Sequence, residues 1–306
     1  MINGVISIRK EKGWTSFDVV AKLRGILKQK KIGHTGTLDP DAEGVLLVCL
    51  GKATKLCDIL PDKDKEYEAT LLLGVDTDTE DISGKVLNTK DVISTKEEVE
   101  KMIMSFLGES MQIPPMYSAI KVNGKKLYEL AREGKVIERE PRKIIIYRIE
   151  IISIELPRVV FKVECSKGTY IRSLCRDIGN ALGCGGCMEH LLRSRACGFD
   201  LSTALSLEEV EEARDNGSLE KYIISIDSLY PEFPKILIKE VDKKLIDNGN
   251  KFTSIHIEKT IYPTDYIVGK EENSQKVLVY DHEGNLYGIY SHFIDIDEYK
   301  PYKMFI

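Results

Sequence analysis

The sequence predicts an α+β chain built on a mixed or antiparallel central sheet with flanking helices, followed by a small, mostly-β module. Three observations carry this expectation. Strand-like and helix-like segments follow one another irregularly, without the regular βαβ alternation that builds a parallel sheet. "KIIIYRIEIISIE" (143–155) and "RVVFKVECS" (158–166) are two strand-like runs joined at Pro157, as an antiparallel pair would be. Past "LYPEFPK" (229–235) two prolines break the pattern, and the remaining segments are strand-like. The expected division is 1–230 and 235–306, the second part a small barrel-like unit.

Taken in order, "VISIRK" predicts a short strand, and "TSFDVVAKLRGILK" a helix with apolar residues at 3-4 spacing and Thr15 or Ser16 as N-cap. "EGVLLVCLG" is a continuous apolar strand stopped by Gly51. "YEATLLLGVDTDTED" predicts a strand that runs into an acidic turn. "TKEEVEKMIMSFLG" is a helix opened by a Thr95–Glu98 capping box and stopped at Gly108. In "QIPPMYSAIKVNGKKLYELAREGK", Pro114 and Pro115 force extended chain, Asn123-Gly124 turns it, and a helix then runs to Gly134. "TYIRSLCRDIGNALG" is a further helix. In the tail, "TIYPTDYIVG" and "KVLVYDHEGNLYGIYSHF", with a turn around Gly284, are β segments.

Composition narrows the function classes. With 42% apolar and 30% charged residues, the chain is an ordinary soluble protein with enough apolar side chains for a core. No apolar run approaches the roughly 18 residues a membrane helix needs. The N-terminus lacks a signal-peptide apolar region, so a cytoplasmic location is expected. Seven scattered cysteines do not form a secreted disulfide framework. The net charge of -5 hides local asymmetry: residues 9–31 hold eight Lys/Arg against two acids, and residues 121–148 nine against four. A single basic run is usually a solvated face, but two, with a third around Lys167 to Arg195, favour a phosphate-rich partner.

The motifs exclude some chemistry before suggesting any. "GHTGTLD" has neither dinucleotide-fold glycine spacing nor the Lys-Ser/Thr ending of a phosphate-binding loop. Cys184-Gly-Gly-Cys187, with His190 nearby, lacks the further ligand that tetrahedral zinc requires, so these cysteines are expected to pack a glycine-rich loop. Within the glycine-rich stretch, Asp39 is the pointed residue. Pro40 keeps it extended, and Gly33 and Gly36 permit sharp bends and close approach of another chain. Alone, an Asp-Pro in a loop is more often a turn initiator.

Read together, "GHTGTLDPDAEGVL", Lys65 to Tyr67, "QIPPMYSAIKVNGKKLYELAREG", "CSKGTYIRSLCRDIG" and "HLLRSRACGF" occur in an order that resembles the TruB family of tRNA pseudouridine synthases. These are bacterial enzymes that isomerise uridine 55 in the T-loop of tRNA. The likeness runs from about residue 3 to 230, and the tail looks like the PUA-related module that often follows this catalytic domain. One departure is that Glu11, where the family usually has proline, follows Lys10.

The resemblance implies a pseudouridine-synthase-type catalytic domain that needs no cofactor and no metal. It maps the catalytic aspartate onto Asp39, the active-site tyrosine onto Tyr67 and the arginine of "KGTYIR" onto Arg172. A carboxylate suits attack on sugar or base, or removal of a sugar proton, and the residues leave that choice open. Tyr67 would stack on an extruded base and take part in proton transfer at C5. Arg172 opens a helix, a poor place for a cation, which points to an acidic partner. Leu191 is implied as a pocket wall, Lys55 as a basic neighbour, and His34 as a residue that handles the flipped-out RNA. Lys10, Lys12, Lys22, Lys121, Lys125 and Arg142 are candidates for phosphate contact. The implied partner is the T-arm of tRNA, with no membrane, no guide RNA and no obligatory protein partner. The rivals are a guide-RNA-dependent relative of the dyskerin type, and an RNA-folding module whose catalysis is dispensable.

Overall fold

The computed structural model describes residues 1–60, 64–264 and 274–306. The first elements are β1 (Gly4–Lys10), α1 (Ser16–Ile26), β2 (Ile32–Thr35), β3 (Glu43–Leu50) and β4 (Lys65–Leu73). There follow the hairpin β5 (Val75–Thr77) and β6 (Val86–Thr89), α2 (Lys96–Met104), β7 (Gly108–Gln112), the hairpin β8 (Lys121–Val122) and β9 (Lys125–Lys126), and α3 (Leu127–Arg132). The long pair β10 (Arg142–Glu155) and β11 (Arg158–Cys165) leads into α4 (Ile171–Ala181), β12 (Gly186–Ala196), β13 (Phe199–Asp200) and α5 (Leu207–Asp215). The C-terminal part holds β14 (Lys235–Ile238), α6 (Lys243–Asp247), β15 (Ile257–Ile261), β16 (Gln275–Tyr280), β17 (Leu286–Phe293) and β18 (Glu298–Met304).

The main sheet has the order β1-β3-β12-β4-β11-β10-β7, with β2 on β3 and β13 on β12. Every neighbouring pair is antiparallel except β3–β12, so the sheet is mixed. The parallel seam is short, pairing Leu192 with Glu43 and Arg193 with Gly44. Gly44 has φ +109, and a Cβ there would lie 2.2 Å from the Arg193 carbonyl oxygen. Only glycine lets the two backbones approach so closely.

Local chemistry explains the elements. Thr15 caps α1 in a capping box with Asp18, which decides between the two candidate caps, and Thr95 with Glu98 does the same for α2. Asn123 and Gly124 both have positive φ, as a two-residue hairpin turn requires. The helix over α2 ends at Met104, earlier than the expected stop; Gly108, at φ +98, instead opens β7.

The apolar run of β3 is continuous because both of its faces are covered. Leu46, Val48 and Leu50 share a cluster with Val19, Val20 and Leu23 of α1 and Val210 of α5. Leu47 and Cys49 share another with Leu56 and Tyr230, with Leu278 and Ile289 of the second sheet, and with Phe305 just past its last strand. Full burial of such a side chain contributes about 1.5–3 kcal/mol. β11 is buried on one face only, so Val159, Phe161 and Val163 alternate inward, packed in the cluster that holds Leu174 and Ile178 of α4.

The second sheet has the order β15-β14-β16-β17-β18 and begins at Lys235, directly after Pro234. It carries one short helix, α6, and its strand order is open among the described residues, whereas a barrel-like β unit was expected. Part of "TIYPTDYIVG" (265–269) lies outside the described residues.

Candidate active site

Asp39 stands on the loop between β2 and β3, and that loop is fastened at several points along its backbone. Gly36 O accepts from Arg193 Nη2 at 2.9 Å. Leu38 N–H donates to Ser16 Oγ at 2.9 Å, and the same hydroxyl donates to Leu38 O at 3.2 Å. Pro40 O accepts from Gly13 N–H at 2.9 Å and from Lys10 Nζ at 3.1 Å. With its neighbours held, the Asp39 side chain is aimed, and it remains 37% exposed to solvent. A rigid carboxylate at an open mouth is what a substrate-reaching group needs.

Arg172, the second residue of α4, meets that carboxylate at two points: Nε lies 2.9 Å from Oδ2 and Nη2 3.1 Å from Oδ1. The guanidinium is itself positioned by carbonyls, with Nη1 donating to Thr79 O at 3.1 Å and Nη2 to Tyr117 O at 2.8 Å. Asp81 adds a second carboxylate at 3.7 Å. Two acids thus offset a cation placed at a helix N-terminus, as its position in the sequence suggested. Burial pushes the Asp39 carboxyl above its ordinary range; Arg172 pulls it down, Asp81 pushes it up and Lys10 pulls it down.

Tyr67 on β4 is buried and sits in one apolar cluster with Leu38 and Leu191. Its direct partner across the β4–β12 register is Arg193. Burial pushes the phenol up to about 12, and the Arg193 charge opposes that rise. At neutral pH the group is a phenol. The structure therefore brings Asp39 and Arg172 into direct contact and places Tyr67 and Leu191 in the apolar cluster that includes Leu38, beside Asp39 in the chain.

The remaining expected residues are spread more widely. His34 on β2 is half-buried, its Nδ1 is buried without a hydrogen-bond partner, and burial followed by the charge of Arg193 lowers its pKa. Lys55 donates to Ile306 O at 3.0 Å, at the seam with the second sheet. Lys121 on β8, and Lys12, Lys22 and Arg142, are exposed; Lys125 is exposed and pairs with Glu133 at 3.4 Å.

Lys10 requires a correction. It is 1% exposed, and Nζ donates to Glu11 O, Trp14 O and Pro40 O at 2.9, 2.7 and 3.1 Å. An ammonium so enclosed has no face to offer a phosphate; it ties the β1–α1 turn to the Asp39 loop. Burial lowers its pKa to about 8.

Three groups at the site went unmarked in the sequence: Asp81, the carbonyls that seat Arg172, and Arg193. No local pattern announces them, because each acts on a distant segment. β12, which carries Arg193, is likewise central to the sheet, although its alternation is interrupted by two register shifts. Cys184 and Cys187 at its start are buried; Cys184 Sγ donates to Gly185 O at 3.3 Å, and His190 is paired with Glu43 at 3.0 Å.

The mixed sheet that carries these residues has counterparts among solved structures. "Crystal Structure of a Cbf5-Nop10-Gar1 Complex" matches with TM-score 0.71 and 27% identity, covering 99% of this chain and 85% of that one. "Structure of H/ACA RNP bound to a substrate RNA containing 2'-deoxyuridine" matches with TM-score 0.70 and 25% identity, over 99% and 85%. The fold is that of the pseudouridine synthases. Two family models divide the chain: TruB family pseudouridylate synthase (N terminal domain) over residues 24–171, and tRNA pseudouridylate synthase B C-terminal domain over 172–230. The tRNA pseudouridine synthase B of Lachnoclostridium phytofermentans is 52% identical over the whole of both chains. Those of Alkaliphilus oremlandii and Clostridioides difficile are 48% and 43% identical, over 91% and 88% of this chain and 90% and 93% of theirs. The chain belongs to the TruB family.

Proposed function

We propose that this chain converts uridine to pseudouridine at position 55 in the T-loop of tRNA, with Asp39 as the group that acts on the glycosidic linkage. The observation that carries the residue assignment is the two-point pair of Arg172 with Asp39, which aims one carboxylate outward from a fixed loop. The reaction breaks N1–C1′, turns the base and rejoins it through C5. Tyr67 stacks on the extruded base and takes part in proton transfer at C5, Leu191 walls the pocket, and His34 meets the flipped-out segment.

Extruding a base costs a few kcal/mol, and phosphate contacts help offset it. Lys12, Lys22, Lys121, Lys125 and Arg142, all exposed, are assigned to this work, and Lys55 to the seam facing the second sheet. Residues 235–306 act as a PUA-like module that holds the acceptor side of the tRNA. The enzyme works alone in the cytoplasm, without guide RNA or protein partner. Relatives at 43–52% identity named for tRNA support this over the guide-ribonucleoprotein neighbours at 25–27%. Among the described residues no helix is long and apolar enough to cross a membrane.

The test is incubation with unmodified tRNA transcript and mapping of pseudouridine, wild type against Asp39→Asn. Modification of the T-loop uridine by wild type alone is expected. Equal product from the variant would remove Asp39 from the chemistry, and tight RNA binding without product from either protein would favour an RNA-folding role.

A further inference from the structure

Arg193 is fully buried, and among the described residues no carboxylate lies within ion-pair distance of it. An unpaired buried cation is expensive and persists where something over-determines it. Here two carbonyls do so: Nε donates to Val45 O at 2.7 Å, on the neighbouring strand, and Nη2 to Gly36 O at 2.9 Å, on the loop that presents Asp39. These bonds fix the plane of the guanidinium. Its third nitrogen, Nη1, is buried and lacks a partner at hydrogen-bond geometry. Tyr67 is the residue directly opposite across the strand register, so the two side chains share a face of the sheet.

We infer that Arg193 is a positioning residue for Tyr67: its charge, with Nη1 free to donate, stabilises negative charge on the phenol oxygen while the C5 proton is removed. This rests on the reading of Tyr67 given above. The phenol first releases its proton to water. The C5 proton then passes to the phenolate oxygen, and the C5–H electron pair restores the C5–C6 double bond. N1, freed from the sugar, takes up one proton, so the released one is matched. A phenol in an apolar cluster ionises reluctantly, and a fixed, unneutralised cation is the device that counters this without competing for the carboxylate that Arg172 holds.

The experiment is single-turnover pseudouridine formation on tRNA transcript across pH 6–10, for wild type, Arg193→Gln, Tyr67→Phe and the double variant. Arg193→Gln is expected to slow the reaction about tenfold or more at neutral pH with KM for tRNA nearly unchanged. Its ascending pH limb should move up by about one unit or more, so that part of the rate returns under alkaline conditions. In the Tyr67→Phe background the same substitution should add almost nothing. A loss equal at every pH, or two losses that multiply, would overturn the inference. If Arg193→Gln melts far below wild type, Arg193→Lys, which keeps the charge, replaces it: an ascending limb close to that of wild type is expected, and a limb moved up by about one unit or more with the charge retained would overturn the inference. Tyr67→Phe at the wild-type rate would instead overturn the role of Tyr67 itself, which separates the two failures.

Discussion

Arg172 and Asp39, 133 residues apart in the chain, meet through two nitrogens and two oxygens at 2.9 and 3.1 Å. The same guanidinium is spent on Thr79 O and Tyr117 O, so the pair is a junction of four segments and not a surface ion pair. Arg172→Lys keeps the charge and loses the fork. It is expected to lower kcat by about 100-fold, the scale on which a misplaced group is felt, while tRNA affinity by filter binding stays within a few-fold. A matching loss of affinity would move Arg172 from aiming Asp39 to holding RNA.

The Asp39 carboxyl titrates above the ordinary range because burial disfavours its charge more than Arg172 restores it. If the carboxylate is the active form, activity falls as pH drops through that raised value, so the acid limb of kcat/KM should lie above the ordinary carboxylate range. Arg172→Gln removes the opposing charge and should move the limb higher still. A limb at the ordinary carboxylate value in both proteins would separate the pH dependence from Asp39.

Gly44 and Gly13 form a controlled comparison. Both have positive φ, at +109 and +86, but a Cβ at Gly44 meets the Arg193 backbone at 2.2 Å, whereas one at Gly13 meets nothing within 4 Å. Gly13→Ala should cost about 1 kcal/mol from backbone strain alone. Gly44→Ala should cost more than about 3 kcal/mol or prevent folding, since it forces β3 and β12 apart. Thermal denaturation of the two variants checks this; equal melting temperatures would count against the seam as drawn.

Lys10 separates a fastening role from a phosphate contact. Lys10→Gln should lower stability by about 1–3 kcal/mol by leaving buried carbonyls short of a donor, and should leave the salt dependence of tRNA binding unchanged. Lys121→Gln should do the reverse, reducing the slope of log affinity against log salt by a little under one if it meets a phosphate. The sign of the pH effect is also fixed. A base whose folded value is lowered, here from 10.5 to about 8, binds fewer protons folded than unfolded between those limits. Stability therefore rises with pH across that window, and the advantage of wild type over Lys10→Gln should grow between pH 8 and 10.5. Melting curves at both ends of the window test it.

The sequence by itself determined what short-range chemistry can specify. Thr15 and Thr95 place helix starts through a partner three residues on, and Asn123 and Gly124 set a hairpin through their own φ. Asp39 stood out beside Pro40 but, like Arg172, took its role only from the family resemblance, with which the misfit of a cation opening a helix agrees. The tertiary structure decided what depends on distant partners. Lys10 looked like a surface cation, and became a buried tie when Pro40, thirty residues on, supplied a carbonyl. Arg193 looked like one charge among several, and became a fixed buried cation because Val45, 148 residues earlier, lies against it across a seam that Gly44 alone permits. Burial of a charge is set by which strands become neighbours. That depends on the whole sheet closing, and no window of sequence around Arg193 carries it.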